Sequence, residues 1–405
     1  MLALCIVMTV LTACTCLIWV SRHVQIWREK RTAFILTDQY AGPQQPAAGE
    51  GVSPQRETPP IDVLVAAKDE EANIETCLRG LLAQDYPHFE TIVCDDRSTD
   101  RTGGIVDSLA AEDPRLRVIH VKELPEGWCG KNNAMRIGIA SSRAEWICMT
   151  DADCRFLSPR MLSAALRYAL DTGADMLSVL PILEMRGFWE NVVQPVSGGV
   201  MMIWFRPDRV NDPAKPNAYA NGAFILMKRS AYDGVGGHEA VKDQVNEDMH
   251  MAARVKGAGL RLRVVRSRGL YLVRMYTSLG RIMRGWSRIF FGTFGTLRRL
   301  TVSLALMFFM GTMGYLSAGL GLAMALSGGQ PAAWWWACGL VGAATVAIQI
   351  SVIYRFYRLV GARPELAWTY LLGCIVIMAS LASAIRKLRP GAKVVWRSTS
   401  YTRRS

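Results

Sequence analysis

Two aspartates one residue apart, Asp151 and Asp153, close an apolar run in "WICMTDADCRF" (146–156). Residues i and i+2 of an extended strand face the same side, so the two carboxylates would point together. With phosphate oxygens supplied by a ligand, they would form a hard-oxygen site suited to Mg²⁺ or Mn²⁺. An Asx-rich turn and a catalytic acid/base pair are the competing readings. Three other constellations stand beside this one. In "VCDDRSTD" (93–100), any of Ser98, Thr99 and Asp100 suffices to cap the helix that follows. That leaves Asp95 and Asp96 to accept hydrogen bonds from a base or ribose. In "PEGWCGKNNA" (125–134), Lys131 stands at a helix start, where it could pair with a diphosphate, although a lone lysine is usually a surface residue. Glu247 and Asp248 adjoin at another helix start. They either complement the helix dipole or supply a general base for an attacking hydroxyl. No Ser/His or Cys/His constellation offers a protein nucleophile.

These residues need a scaffold that converges them, and the surrounding pattern supplies one. "IDVLVAA" (61–67), "ETIVCDD" (90–96), "LRVIHV" (116–121) and "AEWICMTDAD" (144–153) read as strands. Between them, "EEANIETCLRGLLAQ", "TGGIVDSLAAE" and "KNNAMRIGIASS" carry helical spacing. Strands alternating with helices imply parallel βαβ units, whose ligands bind beyond the carboxyl ends of the strands. Asp69/Glu70, Asp95/Asp96 and Asp151/Asp153 would then share one rim. Residues 181–245 are less regular, with Met- and aromatic-rich pieces that read as core or as a greasy acceptor groove. "VNEDMHMAARVKGAGLRLRVV" (245–265) reads as a helix followed by an edge strand.

The rest of the chain belongs to a membrane. The first twenty residues carry no charge, and residues 300–326, 332–354 and 366–385 are equally apolar and long enough to span a bilayer. The N-terminal run meets Arg22, Arg28, Lys30 and Arg31, the pattern of a signal anchor whose C-terminal side stays in the cytoplasm. "LTAC" (11–14) also resembles a lipoprotein cleavage box at Cys14, but the apolar run continues past it. The expected organisation is an anchor (1–21), a basic juxtamembrane segment and flexible linker (22–60), an α/β catalytic domain (61–275), an interfacial amphipathic helix (276–299), three membrane helices (300–385) and a basic tail (386–405). The ten cysteines are scattered without paired spacing, which argues against a disulfide scaffold or a zinc site. The net charge of +13 gathers toward the C-terminal side, with no acidic residue between Asp248 and Glu365. Beside transmembrane helices that field suits an anionic leaflet better than nucleic acid. Three C-terminal crossings would place the tail, with Arg386, Lys387, Arg389 and Lys393, outside, against the positive-inside rule. A re-entrant segment would remove the conflict.

Taken in order, "VLVAAKDEEANI", "VCDDRSTDRT", "GWCGKNNA", "MTDADC", "GGHEAVKDQVNEDMHMAARVKGAG" and "RGW" resemble the membrane-bound inverting glycosyltransferases of family 2. Within that family they are most similar to the branch acting on lipids, such as ceramide, hopanoid- and carotenoid-associated enzymes. The resemblance covers roughly residues 60–290 and implies a nucleotide-diphospho-sugar-binding domain of the GT-A type with a mostly parallel sheet. By position it implies Ala66, Glu70 and Asp96 around a uridine, and Lys131 and Asp151 near the ribose and diphosphate. It implies Asp153, with Asp151, on a divalent metal, and Asp248 as catalytic base. Arg284 and Trp286 would belong to an interfacial element closing over the donor. Two departures stand out: Ala66 replaces a usual proline, and Arg281-Ile-Met-Arg284-Gly-Trp286 carries an added glycine relative to the glutamine-x-x-arginine-tryptophan string of processive synthases. The expectation is therefore transfer of a single sugar from a nucleotide-diphosphate donor, a UDP-sugar, to a membrane lipid. A processive polysaccharide synthase and a non-catalytic sugar- or lipid-binding membrane protein are the alternatives. A transporter would carry charges inside its spans, and these have none.

Overall fold

The computed structural model describes residues 1–29, 34–42, 58–389, 393–396 and 399–402. The chain forms two compact units, one from Phe34–Glu184 with Trp204–Arg274, the other from Met1–Ala33, Met185–Ile203 and Met275–Ser405.

The first unit is built on an eight-stranded sheet. Its strands are β1 (Ile35–Leu36), β2 (Ile61–Ala67), β3 (Phe89–Asp96), β4 (Leu116–Val121), β5 (Trp146–Asp151), β7 (Met176–Leu180), β9 (Phe224–Lys228) and β10 (Leu262–Ser267), in the spatial order β1-β10-β7-β9-β5-β2-β3-β4. A second sheet joins β6 (Cys154–Phe156), β11 (Tyr271–Val273) and β8 (Ile182–Leu183). Every neighbouring pair in the large sheet is parallel except those made by β9, which runs antiparallel to β5 and β7. Burial on both faces explains the near-continuous apolar text of β2, where Val63, Leu64 and Val65 are essentially inaccessible. Each such side chain is worth about 1.5–3 kcal/mol of apolar transfer. Helices Ile74–Leu82, Thr102–Glu112 and Gly130–Ala140 occupy the crossovers expected for them.

The chain runs outward from β2 through β3 to β4 and then returns to β5 on the other flank of β2. That reversal opens a crevice beyond the carboxyl ends of β2 and β5, the place where open α/β sheets bind ligands. Register aligns the rim: Ala66 stands opposite Asp151, and Ala67 opposite Asp95.

Three expectations change. Strand β10 is not an edge strand, because β1 pairs with its outer side through Ile35–Arg266 and Leu36–Ser267. β1 comes from the stretch expected to be juxtamembrane segment and linker (22–60), so the unit recruits residues well before Ile61. The core of that linker, residues 43–57, lies outside the described residues, as do Lys30 and Arg31. The expected continuous domain 61–275 is also interrupted, because Met185–Ile203 belongs to the helical unit, where Phe188–Trp204 is a helix.

Four helices of the second unit are long and apolar enough to cross a membrane: Leu2–Val24, Leu297–Leu326, Ala332–Val360 and Pro364–Arg386. Leu297–Leu326 and Ala332–Val360 approach closely because a Cβ on Gly321 or Gly342 would collide with the facing backbone. Small residues at the seam are the usual device for association in lipid. The Thr12 and Ser317 hydroxyls share a buried hydrogen bond of 2.6 Å in the same bundle. Helix Leu279–Phe294, expected as the interfacial element over 276–299, buries Ile282, Trp286, Phe290 and Phe294 and exposes Arg281 and Arg284. From the tail, Lys393–Trp396 and Thr399–Thr402 pair as two antiparallel strands.

Candidate active site

The rim is assembled from two interlocked loops and two helix starts. After β2, Asp69 takes a positive φ of 50°, and after β3, Arg97 takes one of 56°. Left-handed backbone on residues other than glycine is strained and concentrates at functional loops. Here cross-loop bonds hold it: Asp69 Oδ1 accepts from the Thr99 N–H (2.8 Å), and the Ser98 hydroxyl oxygen accepts from the Asp69 N–H (3.1 Å). Asp100 takes the capping role, accepting from the Thr102 N–H at 2.9 Å. Ser98 and Thr99 thus serve the loop junction rather than the helix.

Asp95 and Asp96 are buried at the end of β3. Asp96 is gripped by the Arg97 guanidinium at 2.9 and 3.1 Å, while the Lys68 ammonium donates to the Asp96 and Arg97 carbonyls. Asp95 meets His120 Nδ1 at 3.0 Å, and His120 Nε2 lies 2.9 Å from Asp107. Those two carboxylates, Asp107 first, raise the His120 pKa. Glu70 is buried, with Oε2 accepting from the Asn73 amide (2.8 Å) and its backbone N–H donating to the Thr102 hydroxyl (2.8 Å).

Strand β5 stops at Asp151, and Ala152–Asp153 form a tight turn into β6. The two carboxylates therefore do not share one strand face. The cause is Cys154, which starts the antiparallel pairing of β6 with β11, and the inward packing of Ala152. Thr150 Oγ1 and Cys154 Sγ both donate to the Ala223 carbonyl, at 2.7 and 3.2 Å, and fasten this turn to the entry of β9.

Lys131 is the hub. Its ammonium lies 2.7 Å from Asp151 Oδ1 and 2.7 Å from Glu247 Oε1. Burial opposes its charge, but Asp151, Glu247 and Asp248 outweigh burial and raise its pKa. Asp248 follows Glu247 at the start of helix Glu247–Gly257, with Oδ2 accepting from the Gly222 N–H and Oδ1 from the Met249 N–H, both at 2.8 Å. Burial first, and the Glu247 charge second, push the Asp248 carboxyl up to about 7 against the opposing pull of Lys131. A carboxylate with that proton affinity is matched to general base work near neutrality. A Cβ at Gly222 would sit 3.0 Å from Lys131 Nζ, so the glycine makes room for the hub.

Lys131, Gly222, Glu247 and Asp248 line a small cavity with His238 and apolar side chains. His238 is no rival base: burial and the Lys131 charge hold it down to about 3, and its Nδ1 is taken by the Tyr232 hydroxyl at 2.8 Å.

Of the expected site residues, Ala66, Glu70, Asp96, Asp151 and Asp153 lie at or just beyond the ends of β2, β3 and β5, with the helix starts of Lys131 and Asp248 beside them. Arg284 and Trp286 lie in the other unit, on helix Leu279–Phe294. Arg284 is exposed; Trp286 is buried, its indole N–H donating to Gln194 Oε1 at 2.7 Å. Sequence reasoning missed Glu247 as the second anchor of Lys131, Gly222 as the space for its ammonium, and Arg97 as the partner of Asp96. Only Glu247 left a signal, its adjacency to Asp248. Gly222 closes a polar loop, and its role exists only in three dimensions.

A mostly parallel sheet with this reversal and acidic rim is the GT-A type of glycosyltransferase fold. A mannosyltransferase from Pyrobaculum calidifontis, solved in complex with GDP-Man and Mn²⁺, shares the fold at a TM-score of 0.52 and 20% identity, covering 94% of this chain and 98% of that one. Residues 62–236 match the family described as Glycosyl transferase family 2, and the chain carries a domain of that family. Among similar proteins is a beta-monoglucosyldiacylglycerol synthase of Nostoc sp., 28% identical over 204 residues, or 50% of this chain and 42% of the relative. Another is a 4,4'-diaponeurosporenoate glycosyltransferase of Staphylococcus haemolyticus, 23% identical over 235 residues, or 57% of this chain and 61% of the relative. The chain thus spans less than half the length of the cyanobacterial relative.

Proposed function

We propose that the protein transfers a single sugar from a nucleotide-diphosphate sugar, a UDP-sugar, to the hydroxyl of a membrane lipid with inversion at the anomeric carbon. The observation that carries this reading is the Lys131–Glu247–Asp248 cluster beside the switch-point crevice: a half-buried carboxylate with a raised pKa next to an ammonium held by Asp151 and Glu247. The names of the two lipid-acting relatives support a lipid acceptor, and four apolar helices would keep the site on a membrane, with the catalytic unit in the cytoplasm.

Glu70 and Asp96 would accept hydrogen bonds from the base and ribose, beside Ala66, whose small side chain leaves the end of β2 open. Asp248 would take the proton of the acceptor hydroxyl as its oxygen attacks the anomeric carbon from the face opposite the diphosphate. One displacement inverts the centre, so no protein nucleophile is required. Lys131 would stabilise the charge gathering on the departing diphosphate, the preorganised electrostatics that dominate such steps.

Among the described residues no three His, Cys, Asp or Glu side chains converge as a metal cage. Asp151 and Asp153, on either side of the turn after β5, would hold a hard divalent cation, Mg²⁺ or Mn²⁺, through their carboxylate oxygens. Such an ion supplies charge neutralisation at the leaving diphosphate. The test is sugar transfer to extracted lipid by membranes carrying the chain, with and without chelator; transfer indifferent to both chelator and Asp153→Ala would refute the metal assignment.

A further inference from the structure

If all four apolar helices crossed the membrane, the basic tail would emerge on the face opposite to Val24 and Leu297. Packing within the helical unit traces a different path. The Trp19 ring meets the Tyr370 ring edge-on at 5.7 Å, and its indole N–H donates to the Met310 carbonyl at 3.2 Å. Helix Tyr370–Arg386 therefore begins beside Met310, near the middle of Leu297–Leu326. One turn on, Cys374 lies where a Cβ on Gly311 would sit.

The direction taken from there is set by the helix it packs against. Helix Leu279–Phe294, which directly precedes Leu297 in the chain, packs along Tyr370–Arg386. The last helix thus runs alongside the segment that leads into Leu297.

The incoming arm is the short 3-10 helix Pro364–Thr369, which follows the end of Ala332–Val360. Consecutive residues hold both arms: Asn191 Oδ1 accepts the Arg363 N–H at 2.9 Å, and the Val192 carbonyl fills the space a Cβ on Gly373 would need. Within that arm Ala367 and Thr369 are buried, while Glu365 and Trp368 are exposed.

We propose that Pro364–Arg386 is a re-entrant hairpin, returning the tail to the face where Val24 and Leu297 lie, and that the basic residues gathered there form one surface for anionic lipid headgroups. Arg281, Arg298, Arg299, Arg358, Arg386 and Arg389 are exposed on it. Glu365 is the sole acidic residue after Asp248, so little opposes this field. The hairpin also removes the conflict with the positive-inside rule. The inference rests on the helical unit being membrane-embedded and is independent of sugar transfer.

Epitopes placed before Met1 and after Ser405 of the full chain, probed by protease in sealed vesicles of both orientations, read the topology. An odd number of crossings is expected, with the two epitopes on opposite faces and the Ser405 epitope cytoplasmic. Both epitopes on one face would overturn the hairpin. Asp248→Asn should give the same pattern, so loss of the catalytic reading would leave this result standing. Native mass spectrometry of the purified chain in mixed phosphatidylglycerol and phosphatidylcholine then reads the surface. Wild type should retain phosphatidylglycerol preferentially, and Arg298→Gln with Arg299→Gln and Arg389→Gln should lose that preference about fivefold or more. Equal retention would overturn the lipid surface.

Discussion

At the scale of single residues the site is an argument about charge. The proposed base role asks of Asp248 a proton affinity near neutrality; desolvation and the Glu247 charge raise it, while Lys131 and two backbone N–H groups keep the carboxylate from rising further. Asp248→Asn is expected to lower turnover about 100- to 10,000-fold, the range of general base contributions, while donor binding measured by calorimetry stays close to wild type. The sign of the pH dependence follows. As the proposed base, Asp248 would work deprotonated, so kcat/KM should fall as pH drops through about 7 and level off above it. Glu247→Gln removes the charge that raises Asp248, so the acidic limb of the profile should move to lower pH. A limb that stayed in place would show that some other group sets it.

At the scale of elements, the site depends on where strands stop and how closely helices begin. Gly222 gives a compact case: a methyl there would press on the Lys131 ammonium at 3.0 Å. Gly222→Ala is expected to raise the donor KM about tenfold, equivalent to about 1.4 kcal/mol, with little change in thermal midpoint. Alternation of strands and helices was legible because β2 to β5 are long, apolar and separated by helices of ordinary period. The rim was legible because parallel strands put their ends together whatever their lengths. What the text of the chain hid was local or distant. The turn at Ala152–Asp153 depends on β6 pairing with β11, more than a hundred residues away, so an extended strand looked equally good. β1 is two residues long and owes its place to β10 rather than to any pattern of its own. Glu247 read as a helix-dipole residue because its partner, Lys131, is remote in sequence.

At the scale of the whole molecule, the chain combines a GT-A fold with four helices long and apolar enough to cross a membrane. Membranes carrying the protein are expected to retain it through an alkaline carbonate wash, because four long apolar helices cannot be stripped as a peripheral protein is. Recovery in the supernatant would contradict the membrane assignment. The central claim is sugar transfer to lipid by Asp248, and it is tested most directly by incubating such membranes with radiolabelled UDP-sugars and counting the organic extract for wild type and Asp248→Asn. The account expects label in the lipid fraction for wild type and at least a hundredfold less for the variant. Equal label from both, or label confined to insoluble polymer, would contradict it.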